Sequence, residues 1–218
     1  MNVYIDIETI PDQRPGARQA YIDGVTAPGT YSRPESIEHW LHAHREVEGD
    51  KAWRRTALNG GYGQVVCVCY ATERGDRGVC FHATDEARVL REYGADLTSH
   101  LGVERATFIG HNVEFDLRFL AHRHMVHGIR PLVPLWYNDA PWKGTYVDTM
   151  HMWAGARERI KLTELARILG FPDRPDIDGA HVWDAVADGR MDDVVRHCVE
   201  DVDRVRYVYQ RMTFEETT

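Results

Sequence analysis

No apolar run in this 218-residue chain approaches the ~20 residues that a helix needs to cross a bilayer, so a membrane-spanning helix is not expected. Four cysteines (Cys67, Cys69, Cys80, Cys198) include no Cys-x-x-Cys, and twelve histidines form no His-Glu-x-x-His. The spacing of a zinc site is therefore absent along the chain. Cys67 and Cys69 read instead as packing one face of a strand over 65–70. The first residues enter a strand with no signal-peptide pattern, and with unpaired cysteines this points to a reducing cytoplasm. No repeat or low-complexity tract is present. Excess positive charge is also missing: the net charge of −8 counts against tight nonspecific binding of a polyanion. What is present, 43% hydrophobic residues over this length, suffices for one well-buried domain, expected over 1–212 with a frayed tail at 213–218.

Carboxylates carry the chemical signal. In Val3-Tyr4-Ile5-Asp6-Ile7-Glu8 the apolar residues alternate with polar ones, the period-two pattern of a strand. Asp6 and Glu8 then share a face roughly 6.5 Å apart. With no cation nearby in sequence they should resist ionising together, and a divalent ion reverses that preference. A strand with a wet polar face is the plain alternative. Asp116 follows the apolar run 107–110 and falls in the first turn of a helix, where an acid can also do no more than complement the helix dipole. His111, Asn112 and Phe115 beside it form a corner suited to a ligand. In 192–212, Val194, Cys198, Val202, Val205, Tyr209 and Met212 recur with helical spacing, and Asp201 lies beside that stripe with His197 one turn earlier. Such a pair serves either a site or the hydrogen bonding of a core rim. Oxygen ligands of this kind favour magnesium or manganese over zinc or copper. His122, His124 and His127 read as the solvated side of one helix.

Asp6-Ile7-Glu8-Thr9, His111-Asn112-Val113-Glu114-Phe115-Asp116 and His197-x-x-x-Asp201 resemble, in order, the three motifs of the DEDD 3′-to-5′ exonuclease superfamily. The resemblance is greatest to the branch related to the proofreading exonuclease domain of type-B DNA polymerases. Supporting stretches are Ile10-Pro11 after the first motif, Gln64 to Val68, and Lys161 to Phe171. The resemblance implies an α/β, ribonuclease-H-like fold with a mixed five-stranded sheet flanked by helices. It also implies two Mg2+ or Mn2+ ions held by Asp6, Glu8, Asp116 and Asp201, a pair that activates water and stabilises the departing 3′ oxygen. Thr9, His111, Asn112 and Phe115 become substrate contacts, and a single-stranded 3′ end, DNA before RNA, becomes the substrate. An exoribonuclease and an inactive nucleic-acid-binding module are the other readings. One departure stands out. Relatives with three residues between the water-orienting side chain and the last Asp carry tyrosine first, whereas this chain carries His197, which can accept a proton as well as orient water.

Strands are expected at 2–8, 64–71, 78–82, 106–110 and 145–148, and helices near 84–99, 113–127, 160–169, 180–187 and 192–212. The connection 12–63 is a long insertion, helical in part over 35–58. Its Trp40 and Trp53, with Trp136, Tyr137 and Trp142 elsewhere, serve either to stack on bases or to anchor loops. Basic clusters at Arg45, Lys51, Arg54 and Arg55, and at Arg157, Arg159 and Lys161, border a channel or simply face water.

Overall fold

Val3, Ile5 and Ile7 on one side of β1 (Asn2–Ile10) and Tyr4 on the other are all buried, so this strand lies inside a sheet covered on both faces. The computed structural model describes residues 1–73, 75, 79–102, 104–137, 145–155, 157–172 and 176–215. By internal packing the chain falls into two compact units, Met1–Glu8 with Val65–Thr218, and Thr9–Gln64.

The first unit carries the sheet. Its strands β2 (Gln64–Thr72), β3 (Val79–His82), β4 (Thr107–Gly110) and β5 (Tyr146–Asp148) join β1 in the order β3-β2-β1-β4-β5. β4 is parallel to β1 and to β5, while β3 is antiparallel to β2, which makes the sheet mixed. Helices α3 (Glu86–Leu101) and α4 (Val113–Val126) cover one face, packing Leu90, Tyr93, Leu97, Leu117 and Leu120 against Val3, Ile5 and Ile7. α8 (Met191–Thr213) covers the other, where Tyr209 meets Tyr4 edge-on. The polar face of β1 is thus roofed by a helix and is not wet.

Local signals account for most boundaries. Asp85 caps α3 by accepting from the Arg88 N–H, and Gly170, at φ 94°, ends α6 (Leu162–Leu169) in the left-handed region. The tight turn from β4 into α4 needs Gly110, since a Cβ there would stand 2.7 Å from the Val113 side chain. Two further helices are α5 (Thr149–Ala154), unanticipated, and α7 (Val182–Ala187). The helix bearing His122, His124 and His127 departs from the solvated face expected of it. His124 is buried between the Tyr93 hydroxyl and the Ile129 carbonyl, and His127 meets Glu86 at 2.6 Å. For His127 the cause is buried Glu86, which also pairs with Arg123 at 2.7 Å and accepts from the Val65 N–H.

The second unit is mainly helical and contains the span 12–63. α1 (Ala17–Asp23) packs on α2 (Pro34–Arg54), and their closest approach needs Gly49, where a Cβ would fall 2.4 Å from Ile22 Cα. Trp53 is an anchor here, buried with its indole N–H donating to the Asp12 carbonyl. Trp142 lies outside the described residues. No helix among the described residues is long and apolar enough to cross a membrane.

Candidate active site

Strand alternation places Asp6 and Glu8 on the β1 face that α8 covers, and helical spacing delivers His197 and Asp201 to them from above. His197 Nε2 lies 3.4 Å from Glu8 Oε1 and 3.9 Å from Asp201 Oδ2. Asp116, buried in the first turn of α4, joins from the C-terminal end of β4 and takes a hydrogen bond from the Ile7 backbone.

Burial and neighbouring charge raise the proton affinity of Asp6, Glu8 and Asp116. Burial pushes the Asp6 carboxyl well above the usual carboxylate range, and the negative charges of Asp201 and Asp116 push it further. Glu8 is raised by burial and then by Asp6 and Asp201. Asp116 is raised by burial; backbone hydrogen bonds oppose that and the charges of Asp148 and Asp201 add to it. Asp6 Oδ2 is buried without a hydrogen-bond partner among the described residues. A set of buried, mutually repelling oxygens with one left unsatisfied fits a hard divalent cation.

Three participants escaped the sequence reading. Asp176, in the loop before Gly179, holds His197 Nδ1 at 2.8 Å. Burial pushes its carboxyl up, yet hydrogen bonds from Arg204 and His197 outweigh this and hold it below the ordinary range. Arg204 lies 2.7 Å from Asp176 Oδ2 and 2.5 Å from Asp201 Oδ1, leaving Asp201 Oδ2 on the His197 side. Asp148 ends β5, accepts from the backbone N–H of Asn112 and Met150 at 2.9 Å each, and keeps a buried oxygen without a hydrogen bond among the described residues, 3.8 Å from His151 Nδ1. An acid at the end of a parallel strand, as in Asp148, and an arginine three residues beyond Asp201 were signals available in the sequence. Asp176, in irregular chain, offered none.

The remaining expected residues are placed as follows. Asn112 adopts φ 63°, a conformation asparagine tolerates, and its side-chain amide makes no hydrogen bond among the described residues. Phe115, half-buried, packs on Phe119. Both nitrogens of His111 are engaged within the protein, Nε2–H donating to the Ile160 carbonyl at 2.7 Å and Nδ1 lying 3.0 Å from the Thr149 hydroxyl. Burial pulls that imidazole below its ordinary pKa. In the second unit, the Thr9 hydroxyl donates to the Ala57 carbonyl at 2.7 Å. A cavity of about 380 Å³ opens on His197, with Lys161 and Arg167 adding positive charge to its wall.

A family model described as a predicted 3′-5′ exonuclease related to the exonuclease domain of PolB matches residues 62–218. Among solved structures, the chain is similar to the family B DNA polymerase from the hyperthermophilic archaeon Pyrobaculum calidifontis, with a TM-score of 0.61 at 16% identity. That likeness covers 97% of this chain and 24% of the polymerase chain, and it shows the fold: α/β, ribonuclease-H-like, a mixed five-stranded sheet flanked by helices. No curated protein matches the chain.

Proposed function

The chain belongs to the family of predicted 3′-5′ exonucleases related to the exonuclease domain of PolB, and on that premise we propose that it hydrolyses the terminal phosphodiester of single-stranded DNA from the 3′ end. The observation that carries this reading is the acid cluster in which burial and neighbouring negative charge, that of Asp201 included, raise the proton affinity of Asp6, Glu8 and Asp116, and in which Asp6 Oδ2 has no hydrogen-bond partner among the described residues. Asp6, Glu8, Asp116 and Asp201 hold two Mg2+ or Mn2+ ions. When bound, such ions activate water and neutralise charge on the transferring phosphate.

The chain's own groups divide the remaining work. Asp176 accepts from His197 Nδ1–H, which turns Nε2 toward Glu8 and Asp201. From there His197 orients the attacking water or accepts its proton. Arg204 neutralises Asp176 and one oxygen of Asp201, which limits the repulsion the site must hold. Substrate contacts in the first unit fall to Asn112, whose amide makes no hydrogen bond among the described residues, and to Phe115 as an apolar wall, with His111 bracing the α4 turn from behind. Lys161 and Arg167, beside the cavity at His197, favour the backbone of an incoming strand. An unstacked strand end reaches such a recessed site where a duplex end does not.

The test uses 5′-end-labelled single-stranded DNA, matched RNA and a blunt duplex, each with manganese, beside an Asp6→Ala control. Stepwise shortening of single-stranded DNA, absent in the control, is the expected result. Preferential shortening of RNA would replace the substrate while keeping the site. No shortening of any strand would leave a nucleic-acid-binding module.

A further inference from the structure

All the cysteines of the chain lie in the first unit, and Cys67, Cys69 and Cys80 meet at one place there. Alternation along β2 puts Cys67 and Cys69 on the same face, and the antiparallel register sets Cys69 directly opposite Cys80 on β3. The Cys67 sulfur lies 3.8 Å from that of Cys69 and 2.7 Å from that of Cys80. These three thiols are all within 4.8 Å of one another. Cys198 approaches them from the buried face of α8, its own sulfur lying within 4.8 Å of oxygens of Asp6 and Glu8. All four are free thiols; Cys67, Cys69 and Cys198 are buried and Cys80 is half-exposed.

Thiols that merely fill a core behave as small apolar groups scattered where volume requires them. Three sulfurs converging from two strands, with a fourth beside them on a helix, form a ligand set once the Cys198 side chain turns toward them. Two sulfurs each about 2.3 Å from a shared tetrahedral zinc ion stand about 3.8 Å apart, the separation of Cys67 and Cys69. Bringing Cys80 to the same spacing moves it by about 1 Å, an adjustment available to a half-exposed side chain on a four-residue edge strand. The Cys198 thiol makes only a 3.5 Å contact to the Asp6 carbonyl, a weak bond to exchange for a metal bond. The missing zinc spacing in the sequence is thus no obstacle, because strand alternation and register do here what a Cys-x-x-Cys turn does elsewhere.

We propose that Cys67, Cys69, Cys80 and Cys198 form a closed structural zinc site, separate in chemistry from the oxygen-lined acid cluster. Soft thiolates select zinc, whereas the carboxylates select magnesium or manganese. Its place explains its use. It fastens the edge strand β3 and its neighbour β2 to α8 one residue from His197, so the ion holds the helix that delivers His197 and Asp201 to β1.

The test is zinc content measured by elemental mass spectrometry on full-length protein, grown with added zinc and gel-filtered in metal-free buffer. Wild type and Asp6→Ala should each retain one zinc ion per chain, and Cys69→Ser and Cys80→Ser should lose it. Because a serine variant can misfold, a mercurial titration of wild type supplies the second reading. It should release zinc stoichiometrically, and cobalt-loaded protein should show thiolate-to-metal absorption that the mercurial abolishes. Wild type without zinc, zinc that survives full mercuration, zinc lost in Asp6→Ala alone, or a Cys67–Cys80 disulfide in the purified protein would each overturn the site. None of these outcomes depends on nuclease activity.

Discussion

Asp176 holds His197 by Nδ1 at 2.8 Å, so a residue from an irregular loop decides which nitrogen of the imidazole faces the acids on β1. An ionised Asp176 accepts from Nδ1–H and so turns Nε2 toward the acids; its depressed proton affinity keeps it ionised. Asp176→Asn removes that control without removing the ring. We expect the rate on single-stranded DNA to fall by about 10-fold or more with KM little changed, and the pH–rate profile to change shape. An unaltered rate and profile would show that the orientation of His197 has no catalytic weight.

His197 itself occupies a position where similar enzymes with this spacing carry tyrosine. His197→Ala should lower kcat by ~100-fold, in the range of general acid–base groups. His197→Tyr should retain more activity than alanine, because a phenol also orients water. Its acid limb should flatten, since a phenol with pKa near 10 stays protonated where imidazole titrates. Single-turnover rates across pH 5–9 separate these cases. An alanine variant as fast as wild type would leave water activation to the metals alone.

Much of this arrangement was legible in the chain, and the exceptions have physical reasons. Period-two alternation around Asp6 and Glu8 and the helical stripe around Asp201 are strong signals because both elements bury a continuous apolar face. The strand and helix positions follow, as does the mixed sheet. Helix α5 was missed because its six residues are too short for periodicity to show, and the Asp148 cap makes it instead. Asp176 was missed because irregular chain brings it to His197 from outside any pattern. From its helix alone His124 reads as a surface residue, because no local pattern reveals the Tyr93 hydroxyl and the Ile129 carbonyl that enclose it. The meeting of Cys67, Cys69 and Cys80 required strand register, which no linear spacing encodes.

That Glu86–Arg123 pair is itself a test of the core. Both side chains are buried, and the Glu86 carboxylate also serves the Val65 N–H and His127. Arg123→Met removes the main counter-charge and should cost about 3 kcal/mol in urea unfolding, with the slope of the transition unchanged. Glu86→Leu combined with Arg123→Met should recover much of it, because no charge is then left buried. Equal losses in the single and double variants would mean that the pair contributes by packing.

The acid cluster makes the metal-free protein sensitive to alkali in a way that its metal-bound form should not share. Asp6, Glu8 and Asp116 all have proton affinities raised by folding. Below the unfolded carboxylate range, near pH 4, folded and unfolded chains carry the same protons and the cluster costs nothing. As pH rises the unfolded chain releases its protons first, so stability falls until the folded acids also ionise. Asp6→Asn deletes one contributor. In EDTA at pH 8 it should therefore melt roughly 2 to 8 °C above wild type, with the gap closing toward pH 4. Excess manganese should invert the order, because an ion that binds only the folded wild type stabilises it by mass action while the variant has lost a ligand. Differential scanning fluorimetry at several pH values, with EDTA and with manganese, reads both effects. If the order at pH 8 is the same in both conditions, Asp6 is not a ligand and the acid cluster is not a cation site.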